Sequence, residues 1–131
     1  MQLNMTTGYA LCVVIYLANK KEVVSANEIS EQIVIPRSVV FKVTDKLSRG
    51  GFIETYLGKQ GGFYLSKCPK EITILDILET MENTMKIVRC LEEDKLCFRK
   101  SSDNCKIRNF YEKVQQELEE KFKSITIADL M

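Results

Sequence analysis

The sequence predicts a mostly α fold with a small β-hairpin wing (α+β), a winged helix-turn-helix continued by a long C-terminal dimerisation helix. Three observations carry that prediction. Two short helical segments flank a three-residue turn, Ile33-Val34-Ile35. Two aromatic and β-branched runs follow, joined by the glycine-rich Leu57–Gly62. From Cys105 to Ser124, apolar residues then recur at helical spacing. Residues 1–68 are read as the winged helix-turn-helix. Residues 69–131 are read as a linker helix, a cysteine loop at about 83–105 and the dimerisation helix, packed as one compact unit with the first.

Thr6 or Thr7 is placed to cap a first helix that runs to about Asn19. That helix is apolar along Tyr9, Ala10, Val13, Ile15 and Leu17, and nearly so all round, so it is expected to be buried. Ser25-Ala26-Asn27-Glu28 has the Ser-x-x-Glu form of a capping box, in which hydroxyl and carboxylate each satisfy an orphan backbone amide, and it opens a short helix through Gln32. After the turn, Pro36 brings a fixed φ and no N–H, which suits the first turn of a second helix ending at Arg49, where Gly50-Gly51 supplies the stop. Val40, Val43 and Leu47 share one face and point to the core. Arg37, Ser38, Phe41, Lys42, Asp45 and Lys46 lie opposite. Two short helices across a tight turn, the second carrying basic and hydroxyl groups outward, form the pattern whose second helix enters a major groove; a plain solvated helical hairpin is the competing reading.

Phe52–Tyr56 and Phe63–Leu65 make the hairpin, with Lys59 and Gln60 at its tip. The tip glycines allow close backbone approach, and the lysine and amide suit a DNA-contacting wing. A nucleotide loop is rejected because no Gly-Lys-Ser/Thr closes the motif and a strand, not a helix, follows it. Thr73-Ile74-Leu75-Asp76 repeats the capping-box logic and opens a helix to about Glu82, with Leu75, Leu78 and Met81 or Met85 on its buried side. A charged loop runs from Asn83 to Asn104. On the last helix Ile107, Phe110, Tyr111, Val114, Leu118, Phe122 and Ile125 form one stripe. The stripe can pack on its own domain or on a second copy. The dimer is expected because helix-turn-helix proteins commonly bind two half-sites symmetrically.

Composition narrows the function. Residues 1–68 hold 8 Lys/Arg against 5 Asp/Glu, and residues 69–131 hold 11 against 13, so the front half is the mildly basic one. The apolar run from Ala10 to Ala18 is far below spanning length and no basic leader precedes it, so the expected setting is the cytoplasm, without membrane association. With no histidine in the chain and no paired-acid arrangement, neither an enzyme nor a small-molecule substrate is expected. Three of the five cysteines, Cys90, Cys97 and Cys105, fall in a C-x6-C-x7-C array, where a random window of that size would hold about 0.6. In a reducing compartment such a cluster is more often a metal or redox site than a set of disulfides. Arg89, Lys95, Arg99, Lys100 and Lys106 favour thiolates there, and Cys105 gains further from the positive end of the last helix.

Met1-Gln2-Leu3 with Gly8-Tyr9-Ala10, Ile29-Ser30-Glu31-Gln32, the wing Gly58-Lys59-Gln60-Gly61-Gly62-Phe63-Tyr64-Leu65, the three cysteines and the tail Ile125-Thr126-Ile127-Ala128-Asp129-Leu130 together resemble the Rrf-two family of IscR/NsrR-like regulators. The resemblance covers essentially the whole chain. It implies a dimeric winged-helix transcription factor that binds double-stranded operator DNA. It also implies an iron–sulfur cluster, [2Fe-2S] or [4Fe-4S] and readily lost to an apo form, held by Cys90, Cys97 and Cys105, through which redox, iron–sulfur or nitric-oxide status is sensed. Where some members place a histidine after the third cysteine this chain has Arg108. Cys12 is instead the candidate fourth ligand, contributed by the partner subunit's first helix, with an ordinary core cysteine as the other reading. Cys68 is expected to stand aside. Leu57 replaces a wing arginine and Phe41 a polar base reader. Ser38, Lys42 and Lys59 then lead the DNA contacts, with Gln60 beside them at the tip and Arg37 and Lys46 on phosphates. Two alternatives stay open: a cluster-free thiol switch, and a winged-helix adaptor without operator binding.

Overall fold

The computed structural model describes residues 1–94, 96–97 and 104–131. Among the described residues five helices, α1 (Met5–Lys20), α2 (Ala26–Ile33), α3 (Arg37–Arg49), α4 (Ile74–Met81) and α5 (Lys106–Ser124), accompany one antiparallel hairpin, β1 (Ile53–Tyr56) and β2 (Gly62–Leu65). Short 3-10 turns lie at Pro69–Glu71, Arg89–Leu91 and Ile127–Leu130. The mostly α, α+β winged fold expected from the sequence is thus present.

The centre of the core is α1, packed against α2, α3, α4, β2 and the 3-10 turn at Ile127–Leu130. Its cap is Asn4, not Thr6 or Thr7. Extended at φ −62° and ψ 142°, Asn4 accepts the Thr6 amide on its side chain, while Thr7 turns inward, fully buried, and donates its hydroxyl to Glu82 at 2.8 Å. Nor is α1 buried all round: Ala10, Val13, Val14 and Leu17 are, but Met5, Gly8 and Cys12 leave one exposed strip. Cys12 is therefore not the core cysteine of the bland reading.

Val40, Val43 and Leu47 are fully buried, as their spacing predicts. The Ser25 box is only half formed. Its hydroxyl accepts the Glu28 amide at 3.1 Å, but the Glu28 carboxylate is taken by the Tyr16 hydroxyl at 2.6 Å and by Lys20 at 3.7 Å. A tertiary partner has outcompeted the local one. Val34 closes α2 in the left-handed region at φ 58°, Pro36 stands one residue outside α3 as its cap, and Gly51 at φ 81° ends the reading pair.

The hairpin pairs Ile53 with Leu65 through Tyr56 with Gly62. Val24 adds a bridge that the sequence did not announce, exchanging backbone hydrogen bonds with Phe63 at 2.9 and 2.8 Å. Only glycine fits beside it: a Cβ on Gly62 would lie 2.1 Å from the Val24 carbonyl oxygen. At α4 the capping box of Thr73 and Asp76 is complete, and Ile77 rather than the half-buried Leu75 joins Leu78 and Met81 inside. After α5 the chain returns: Ile127 is fully buried, donates its amide to Ile72, and sits in the same core as α1.

Candidate nucleic-acid interface and cysteine site

On α3, Arg37, Ser38, Phe41 and Lys42 are exposed together. Ser38 and Lys42 are one helical turn apart and so present neighbouring groups on one surface. Phe41, 47% exposed, meets Phe63 of β2 edge-on at 6.3 Å between ring centres, and the Arg37 guanidinium stands 5.6 Å over its ring. The aromatic pair therefore fixes the helix against the wing strand. Asp45 and Arg49 form an ion pair one turn along. Lys46 differs from the other basic groups: it is half-buried, and its Nζ donates to the Met81 carbonyl at 3.4 Å, which ties it to the end of α4.

Lys59, Gln60 and Leu57 are exposed at the wing tip. The Tyr64 phenol donates to Glu54 along the hairpin, and that hydrogen bond, with lesser help from burial and the Glu54 charge, raises its pKa above the ordinary 10.0. The wing and the outward face of α3 present two separated sets of hydrogen-bond donors.

The sulfur donors lie beyond α4 in the chain. Cys90 is half-buried within the turn Arg89–Leu91, which packs on α5; Cys105 is half-buried at the cap position of α5; Cys97 is exposed between them in sequence. Lys95 and residues 98–103, including Arg99 and Lys100, lie outside the described residues. Arg89 is paired with Asp94. Among the described residues no group of three or more Cys, Asp or Glu stands close enough to hold a metal ion, so the thiols are not gathered into a ready cage. Arg108, in the place of the histidine, pairs with Glu112 at 3.5 Å, and its buried Nε has no hydrogen-bond partner among the described residues. Cys12 is exposed on α1 and Cys68 at the cap of the turn after the wing.

The stripe on α5 divides. Ile107 and Phe110 are 51% and 61% exposed; Tyr111, Val114 and Leu118 are half-buried; Phe122 and Ile125 pack on the core. Between them lies a residue that the sequence reading passed over: Gln115, 4% exposed, is the one buried residue of α5. Its side chain bonds Met85, Ile87 and Glu119. The signal was available, because Tyr111, Gln115, Leu118 and Phe122 share one face and an amide there has to be satisfied from a neighbour.

A recognition helix with outward basic and hydroxyl groups, braced against a wing, defines a winged-helix transcriptional regulator. The chain belongs to the Rrf2 family: the family model described as "Iron-dependent Transcriptional regulator" matches residues 3–131. A protein of Aquifex aeolicus named "Putative HTH-type transcriptional regulator" is 35% identical over 127 residues, covering 96% of this chain and 88% of its own. The HTH-type transcriptional regulator NsrR of Bacillus licheniformis is 33% identical over 97 residues, 72% of this chain and 68% of that protein. Among solved structures, T. potens IscR superposes with TM-score 0.79 at 23% identity over 99% of this chain and 85% of its own. The B. subtilis structure entitled CymR, the global cysteine regulator, gives 0.81 at 22% over 99% and 95%. These two establish the fold. The family consists of transcriptional regulators and not enzymes, and among the described residues no helix is long and apolar enough to cross a membrane.

Proposed function

We propose that this regulator binds operator DNA as a homodimer and that its affinity follows the state of an iron–sulfur cluster held by Cys90, Cys97 and Cys105. The observation that carries the reading is the placement of the thiols. The Cys90 turn packs on α5 and Cys105 stands at the start of the same helix. A change at the sulfurs therefore acts on α5, whose exposed Ile107 and Phe110 offer a surface for a second copy. The donor set fits the group, since thiolates suit iron–sulfur centres and the chain has no histidine. When bound, the cluster supplies iron that oxidants and nitric oxide attack. Cys12, exposed on α1, is the candidate fourth ligand from the partner subunit. On DNA, Ser38 and Lys42 face the groove, Lys59 and Gln60 the wing contact, and Arg37 a phosphate. Lys46 is assigned a phosphate only if it leaves Met81.

A second reading, a cluster-free thiol switch, is favoured by the absence of a gathered metal group among the described residues and by the likeness to CymR. Anaerobic purification with visible absorption, iron and sulfide assays separates the two. Brown protein whose colour is lost on serine substitution at Cys90, Cys97 or Cys105, with operator affinity changing alongside, supports the cluster. Colourless protein that resists reconstitution and changes affinity on oxidation with diamide supports the switch. Unaltered spectra and cluster retention in Cys12→Ser would remove Cys12.

A further inference from the structure

We infer that Gln115 is the positioning residue that couples the cysteine segment to the DNA-reading helices, by latching the strap of residues 81–87 onto α5. The inference rests on the proposed sensing at Cys90. This strap joins α4 to the Cys90 turn and is pinned to three elements. At its start, the Met81 carbonyl accepts Lys46 of the recognition helix at 3.4 Å. Next, Glu82 accepts the Asn4 amide at 2.6 Å and the Thr7 hydroxyl at 2.8 Å, which fixes the beginning of α1. At its end, Gln115 accepts the Ile87 amide at 2.9 Å and donates to the Met85 carbonyl at 2.8 Å and to Glu119 at 2.9 Å. Lys86 stands 3.7 Å from the same Glu119.

The chemistry at position 115 is narrow. An amide offered a backbone N–H on one side and a backbone C=O on the other has one satisfying orientation, and both of its N–H groups are used. Leucine, of similar size, satisfies neither Ile87 nor Met85. Glutamate keeps the acceptor for Ile87 but has no proton for Met85 and faces Glu119 with like charge. Cys90 follows Ile87 by three residues. A movement at Cys90 is therefore carried along the chain to the latch as well as directly to α5, on which its turn packs, and the other end of the same strap holds the recognition helix and the N-terminus of α1. Coupling of this kind needs an element with two arrangements that both ends bias, and the strap, latched or unlatched, is that element.

The test uses full-length wild type, Gln115→Leu and Gln115→Glu. Iodoacetamide labelling of anaerobic, cluster-free protein is read by mass spectrometry, with exposed Cys68 as the internal reference. Affinity for the best duplex selected from a random pool by wild type is measured before and after diamide or cluster loss. Cys90 labelling should rise about tenfold in Gln115→Leu, as loss of a buried hydrogen bond predicts, with Cys68 unchanged. The affinity ratio between the two states, of order 5–150-fold for allosteric coupling in general, should fall to within about twofold of unity while one state still binds DNA. Gln115→Glu should fall between, and it carries the test should the leucine variant not fold. A purely structural role would weaken both states equally. Folded variants with wild-type labelling of Cys90 or a wild-type ratio overturn the coupling and leave the sensor standing. A wild type whose affinity ignores both diamide and cluster loss sinks the sensor reading, and the coupling with it.

Discussion

Around α1 the chain is held by an apolar core, and the buried hydroxyls of Thr7 and Thr44 are satisfied by Glu82 and by the Val40 carbonyl. Along α5 the balance reverses, since the only fully buried residue there is an amide and the apolar side chains are half-buried or exposed. Burial of apolar surface is non-directional and survives small displacements, whereas a set of hydrogen bonds is either made or broken. The reading helices are thus held by contacts that tolerate displacement, and the segment beside the cysteines by contacts that do not, which suits the two arrangements proposed for the strap. Regions of low apolar contact are where local opening concentrates.

The comparison can be broken most sharply at Ile127, which lies after α5 yet belongs to the core of α1. Ile127→Ala should lower stability by about 2–5 kcal/mol in urea unfolding; a loss below about 1 kcal/mol would mean that the tail adds little to the head. Lys59→Ala should weaken operator binding severalfold and reduce the salt slope by about 1. Because the wing lies apart from the strap, the affinity ratio between sensor states should stay at its wild-type value. An altered ratio would join the two regions that the structure separates.

A smaller effect is expected at Val34, a β-branched residue held at φ 58° and 85% exposed in the turn before α3. That conformation costs a residue with a Cβ roughly 1–2 kcal/mol, so Val34→Gly should raise stability by up to about 1 kcal/mol after the entropy of glycine is counted. A lower unfolding midpoint would show that the valine side chain is stabilising. Smallest is the alkaline limb. The hydrogen bond to Glu28, then burial and the charges of Glu28 and Glu22, push the Tyr16 pKa from 10.0 up to about 12. The folded value exceeds the unfolded one, so the contribution is whole below pH 10.0 and disappears as pH rises toward 12. Tyr16→Phe should remove that contribution from a pH series of unfolding midpoints and leave the alkaline contribution of Tyr64, whose pKa is also raised. It should leave untouched the acid limb of Asp129, whose carboxylate is held below 3.8 by the Thr126 amide and hydroxyl and loses its contribution as pH falls.

What could be read from the sequence followed from periodicity. Val40, Val43 and Leu47 declare a helix face by spacing alone, and the glycine-rich wing and clustered thiols declare themselves by composition. The errors arose where a distant residue competes with a local one. Glu28 is a perfect partner for Ser25 by spacing, yet Tyr16 takes its carboxylate, and Thr7 looks like a cap until Glu82 draws it inward. The exposure of Cys12 depends on which strip of an apolar helix faces outward, and hydropathy does not rank the strips. The strap was illegible for another reason: its bonds to Lys46 and Gln115 use backbone groups of Met81, Met85 and Ile87, which every residue type carries.

The buried position of Ile127 bears on how the molecule is made. A ribosome that has released the helix-turn-helix and the wing has not yet supplied a side chain their core requires, and some sixty residues must still emerge before α1 is closed on that side. A chain stopped within the cysteine segment carries every residue proposed to contact DNA and a core with a hole in it. Such a fragment should be cleared as an unstable product rather than persist as a DNA-binding remnant.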